Sequence, residues 1–166
     1  MHRDSADDYT VADLCRIFER ICIENECSLT SNARAYAFLN FSTVRERHEG
    51  AFENARVVRE CFESARSFQV ERLAARAVPP TPEQSRQLEG VDIITSSLYE
   101  TELRSRDVSA SKWEAECPEC HRNVQAAAAN LGKRFSCKCG GSFIFPWWNP
   151  VRSTIPGLSN QAVKVS

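Results

Sequence analysis

The sequence predicts a mainly α protein: a small helical bundle in the first half of the chain, then a small β module held by four clustered cysteines. Three observations point there. Apolar residues recur at three- and four-residue steps from Tyr9 to about residue 92. Between Trp113 and Trp148 the composition shifts to paired cysteines, glycine and aromatics. The 166 residues are 42% hydrophobic and 26% charged, with mean hydropathy -0.41, a globular composition. No stretch approaches the roughly 18 apolar residues of a membrane-spanning helix. The opening Met1-His2-Arg3-Asp4 has no apolar run behind its charges, so no secretory signal is read and a cytoplasmic location is expected. Lys plus Arg 21 against Asp plus Glu 22 gives a net charge of -1, which argues against wholesale phosphate binding.

The first helix begins after Thr10, an N-cap followed by Asp13 in the first turn, and carries Val11, Leu14, Ile17, Phe18 and Ile21 as an amphipathic stripe. A second starts near Thr30 or Ser31, carries Ala33, Ala37, Phe38, Phe41 and Val44, and is broken by His48-Glu49-Gly50. A third, longer helix begins at Asn54 with Val58, Cys61, Phe62, Ala65, Phe68 and Leu73 on one face, and Pro79-Pro80 ends that region. Thr81-Pro82-Glu83-Gln84 combines a cap, a proline at the first helical position and a glutamine at the third, which predicts a short fourth helix. Residues 94–112 are serine-rich and charged without period and read as a linker. Phe143-Ile144-Phe145 reads as a strand, and 149–166 as a disordered tail.

Eight cysteines divide unevenly. Cys15, Cys22, Cys27 and Cys61 are scattered through the helical half and read as small buried hydrophobes. Cys117-Pro-Glu-Cys120 and Cys137-Lys-Cys139-Gly140-Gly141, separated by residues 121–136, are read as a structural zinc site, with disulfides or free thiols as alternatives. Each short pair can supply two thiolates from one tight turn, and glycines after Cys139 permit the backbone such a turn needs. Four protein ligands leave no open position for a catalytic water. The second pair is C-x-C, one residue tighter than the usual C-x-x-C. Cys117-Pro-Glu-Cys120-His121 also matches covalent haem attachment, but that chemistry needs export and an axial partner, so His121 reads as the residue after a metal turn. Residues 115–146 resemble zinc-ribbon modules, which implies a fold more than a function. The stretch Lys112 to Trp148 holds five basic and three acidic residues, with Phe135, Trp147 and Trp148 nearby for stacking, which keeps nucleic-acid binding as a lesser alternative.

The helical half offers no G-x-x-x-x-G-K-[ST] phosphate loop, no paired carboxylates and no Ser-His-Asp set, so no catalytic residue is assigned. It does resemble a known module. The 14–30 stretch LCRIFERICIENECSLT, then Asn54-Ala55-Arg56, Val58 and Arg59, then Gln69, Arg72 and Leu73, and a closing 88–93 LEGVDI resemble the C-terminal helical lid of AAA+ ATPases over roughly residues 8–93. The nearest group is that of Rubisco-activase-type, sporulation stage V protein K-like and type VII secretion ATPases. Glu53 stands where many relatives carry glycine.

That resemblance implies a lid closing over nucleotide bound in a neighbouring core, with Arg56 as the sensor-2 arginine that reaches the phosphates. ATP and magnesium would be held only through that partner core, lying N-terminal to Met1 or supplied in trans, within a ring oligomer acting on a protein substrate. The chain would not be catalytic alone. Arg66, Arg72 and Arg76 are expected on a solvated face or paired with Glu63 and Glu71. The alternative is a non-catalytic zinc-ribbon adaptor binding protein or nucleic acid. The expected units are 8–93 (lid), 94–112 (linker), 113–148 (ribbon) and 149–166 (tail). With the two halves separate, metal loss is expected to spare the helices.

Overall fold

The computed structural model describes residues 9–47, 54–108, 111–148 and 152–153. The first eight residues, His48-Glu49-Gly50, Glu53 and the tail beyond 153 lie outside the described residues.

Helix α1 (Val11–Glu24) opens on a reciprocal capping box: the Asp13 amide donates to Thr10 Oγ1 at 3.0 Å and the Thr10 amide to Asp13 Oδ2 at 2.9 Å. Leu14, Cys15, Phe18, Ile21 and Cys22 are its buried residues. Strand β1 (Ser28–Leu29) leads into α2 (Ser31–Arg47), whose first turn is closed by the Ala33 amide on Thr30 Oγ1. Buried residues lie all around α2, because it runs through the centre of the molecule. Helix α3 (Asn54–Ala74) packs Val58, Cys61, Phe62 and Ala65 against the bundle, with the Phe18 ring edge-on to Phe41 and Phe62.

The expected fourth helix is only a single 3-10 turn, Gln84–Arg86. The Thr81 and Gln84 cap forms as the sequence predicts. The chain then straightens into β2 (Gln87–Leu88), drawn into parallel pairing with β1. The buried Gln69 carboxamide donates to the carbonyl oxygens of Gln87 at 2.7 Å and Ser85 at 3.2 Å, so these groups have partners without a continuing helix. The helix itself comes later, as α4 (Gly90–Ser96). It is capped by Glu89 and Asp92, and Gly90 lies where a Cβ would come within 2.8 Å of Asn32.

Residues 94–112 are not featureless. Helix α5 (Glu100–Arg104) lies within them, Leu103 is fully buried and Val108 nearly so. Two apolar anchors in a charged stretch are too few to register as a period. Beyond, β3 (Lys112–Glu116) is the centre of an antiparallel sheet with β4 (Asn123–Ala127) on one side and β7 (Arg152–Ser153) on the other. Thus Arg152 and Ser153, in the segment read as a disordered tail, pair with Glu114 and Trp113. After a 3-10 turn at Ala128–Asn130, β5 (Arg134–Ser136) and β6 (Ser142–Ile144) form a second antiparallel pair.

The two halves share a single core, contrary to the expectation that they are separate. Trp113, Leu131, Phe145 and Trp147 are fully buried in the cluster that holds Leu14, Phe18 and Phe38. The Phe38 and Trp113 rings meet edge-to-face with centroids 5.0 Å apart. Ser31 Oγ donates to the Leu131 carbonyl at 2.9 Å, and Trp147 Nε1 donates to Glu19 Oε1 at 3.4 Å. About 36 residues of ribbon bury too little apolar surface alone, so the ribbon finishes its core on α1 and α2.

Candidate metal centre and the lid surface

Both cysteine pairs lie in turns built by backbone bonding. At the first, the His121 amide donates to the Cys117 carbonyl and the Cys117 amide to the Arg122 carbonyl, both at 2.9 Å, with His121 at φ 63. At the second, the Gly140 amide donates to the Cys137 carbonyl at 2.9 Å and the Cys137 amide to the Gly141 carbonyl at 2.8 Å. Gly140 has φ +97 with open space where a Cβ would sit, so glycine serves backbone conformation there. At Gly141 a Cβ would come within 2.5 Å of Glu119, so glycine there lets the two turns approach each other. These two glycines let a C-x-C close as tightly as a C-x-x-C.

The four sulfurs of Cys117, Cys120, Cys137 and Cys139 all lie within 4.8 Å of one another. Cys117 and Cys139 Sγ are 3.8 Å apart, and Cys120 and Cys137 Sγ 3.7 Å. Four sulfurs at about 2.3 Å from a central ion form a tetrahedron with edges of about 3.8 Å. The donor set therefore fits a tetrahedral thiolate-bound metal ion.

The backbone N–H groups of Cys120 and Glu119 bring the Cys117 thiol down to about 7. At Cys139 the Gly141 amide favours the thiolate, but burial and the neighbouring thiols outweigh it and push that thiol up to about 11. His121 is not among the ligand set; its Nδ1 lies 3.0 Å from Glu116 Oε2, on the surface. Cys15, Cys22, Cys27 and Cys61 are all buried. Burial raises all four, Cys61 to about 12, which keeps them neutral thiols in the core.

On the lid, Arg56 sits in the first turn of α3 with its side chain 69% exposed, Nε 3.1 Å from Glu60 Oε1. Arg59 is exposed on the same stretch. Of the later arginines, Arg76 is exposed as expected, whereas Arg66 and Arg72 are half-buried and Arg72 pairs with Asp92 and Glu89 instead of Glu63 or Glu71. Arg72 grips the buried Asp92 through Nε and Nη2, both at 2.9 Å, and also reaches Glu89. Arg66 donates to Gln69 Oε1 at 2.6 Å and Arg76 to Gln84 Oε1 at 3.3 Å. Sequence reasoning missed the partners of Gln69 and Arg72 because these lie 15 to 20 residues away, in a segment without helical period. Among the described residues no helix is long and apolar enough to cross a membrane.

A four-helix core of α1 to α4, closed by a short parallel β1–β2 pair and continued by a cysteine-bound β module, defines a helical lid with an appended ribbon-like domain. The family model of the AAA lid domain matches residues 10–103, more than half of the chain, and the chain belongs to that family. The match runs into α5, past residue 93, where the sequence resemblance stops. No curated protein and no solved structure matches the chain.

Proposed function

We propose that this chain is the C-terminal lid and zinc-ribbon portion of an AAA+ ATPase of the Rubisco-activase-type and sporulation stage V protein K-like group. It works with a phosphate-loop core supplied in cis or in trans. The observation that carries this reading is the AAA lid match over residues 10–103. In it, Arg56 serves as the sensor-2 arginine. Its guanidinium is exposed at the start of α3, where its i,i+4 contact with Glu60 is open to solvent and a phosphate could displace it.

The metal is zinc, with thiolates of Cys117, Cys120, Cys137 and Cys139 closing its coordination, so its part is structural. The ribbon docks a protein substrate or partner and moves with the lid. The chain alone neither binds ATP tightly nor turns it over, since one arginine replaces neither the amide cradle nor the lysine of a phosphate loop.

The test is reconstitution with the ATPase core. Arg56→Ala should depress nucleotide-dependent turnover strongly while changing the stability of the isolated chain by no more than about 0.5 kcal/mol. Wild-type turnover of the variant assembly, or steady hydrolysis by the chain alone, would contradict the reading. Cys117→Ser with Cys137→Ser should separately impair processing of a protein substrate; unchanged processing would remove the docking role.

A further inference from the structure

Strand β4 is the outer strand of its sheet, and β5 pairs only with β6. Each strand therefore keeps one edge without a ladder partner among the described residues. Antiparallel ladders alternate, so single bonds fix which residues face outwards. The bond from the Cys117 amide to the Arg122 carbonyl turns Arg122 and Val124 towards β3, which leaves the backbone N–H and C=O of Asn123 and Gln125 pointing away from it. The bonds from Phe145 to Lys133 and from Cys137 to Gly141 likewise leave Arg134 and Ser136 pointing away from β6.

Between these edges lies a groove of about 370 Å³, lined by residues 122–125 of β4 and its turn and 135–138 of β5 and its turn. Half-buried Val124 and Phe135 supply its apolar lining. At the end beside the cysteine turns stand Arg122 and Lys138. Both are exposed, and neither side chain forms an ion pair or hydrogen bond among the described residues.

We infer that this groove binds an extended peptide segment by strand addition, with an apolar residue over Val124 and Phe135 and an acidic residue at Arg122 and Lys138. The inference rests on the docking role proposed for the ribbon and names its ligand class. Open strand edges recognise backbone, and alternate side chains along the added strand give selectivity. Residues 122–125 span roughly 13 Å at 3.3 Å per residue, room for about four residues of extended chain. A single-stranded nucleic acid suits the groove less well. Its lining offers a single aromatic ring, Phe135, whereas non-specific single-strand binding stacks successive bases on several.

The experiment uses the metal-loaded full chain and a fluorescein-labelled peptide of alternating Glu and Val, read by anisotropy. Binding should fall by about tenfold or more when Glu is replaced by Lys, when a central Val is replaced by Pro, and when the chain carries Arg122→Gln with Lys138→Gln at unchanged metal content. Equal binding of the Lys or Pro peptide, or tighter binding of an oligothymidylate, would overturn the inference. So would a double variant that loses metal yet binds peptide as before, since the two cations would then serve only the thiolate cluster. Absence of peptide binding while the cysteine variants still impair substrate processing would sink the groove and leave the docking role standing. Groove binding with unimpaired processing would do the reverse.

Discussion

Arg72 is 24% exposed, while the Asp92 carboxylate it grips is 1% exposed and also accepts the Glu89 amide at 2.8 Å. Two fork contacts at 2.9 Å hold the guanidinium firmly protonated and tie α3 to the start of α4. Replacing Arg72 by Ala leaves a buried carboxylate with no counter-charge, so the expected loss is about 3 kcal/mol or more in urea unfolding. Arg56→Ala, by contrast, removes an exposed side chain whose contact with Glu60 is worth about 0.5 kcal/mol or less. If the two substitutions destabilised the isolated chain equally, the division between an architectural and a ligand-facing arginine would fail. Gln69 belongs with Arg72: its carboxamide holds the Ser85 and Gln87 carbonyls, so Gln69→Leu should cost about 1–3 kcal/mol despite its apolar gain.

At the scale of elements, the two cysteine turns bring four sulfurs to tetrahedral spacing, and metal analysis should find about one ion per chain. Cys117→Ser with Cys137→Ser should abolish that content. Metal binds thiolates, and in the metal-free chain the Cys139 thiol, pushed up to about 11, holds its proton at neutral pH, while that of Cys117 is brought down to about 7. Uptake therefore releases protons, and apparent affinity should fall as pH is lowered, by about tenfold or more per unit below neutrality. A flat profile between pH 8 and 6 in a cobalt titration would contradict thiolate ligation.

These elements also show where sequence reasoning reached and where it stopped. The capping boxes at Thr10 and Thr81, the start of α3 at Asn54 and the clustering of Cys117, Cys120, Cys137 and Cys139 are local patterns, and they were legible. The 3-10 turn at Gln84–Arg86 was not, because its termination depends on Gln69 and on pairing with β1, both distant in sequence. Helix α5 escaped because Leu103 and Val108 are anchors without a period. Arg56 could be placed only by resemblance: nothing in its local sequence separates a phosphate-facing arginine from a surface one.

At the scale of the whole molecule, lid and ribbon are one folded body. Trp113 is fully buried against Phe38, and Leu131, Phe145 and Trp147 complete a core that begins on α1 and α2. Trp113→Ala should cost about 3–5 kcal/mol, the range for emptying a fully packed aromatic site, and should lower the unfolding midpoint of the helices as well as of the ribbon. The same continuity lets the metal act at a distance. Without an ion at the four cysteines the β5–β6 pair and both turns would lose their anchor, and Phe145 and Trp147 the frame that holds them in the shared core. Thermal unfolding of the helices, followed by far-UV circular dichroism with and without the metal, tests this most directly. The expected result is a midpoint lowered by more than about 5 °C on metal removal, since each kcal/mol lost is worth about 2–4 °C in a chain of this size. A helical transition that stays at the same temperature after complete metal removal would contradict it.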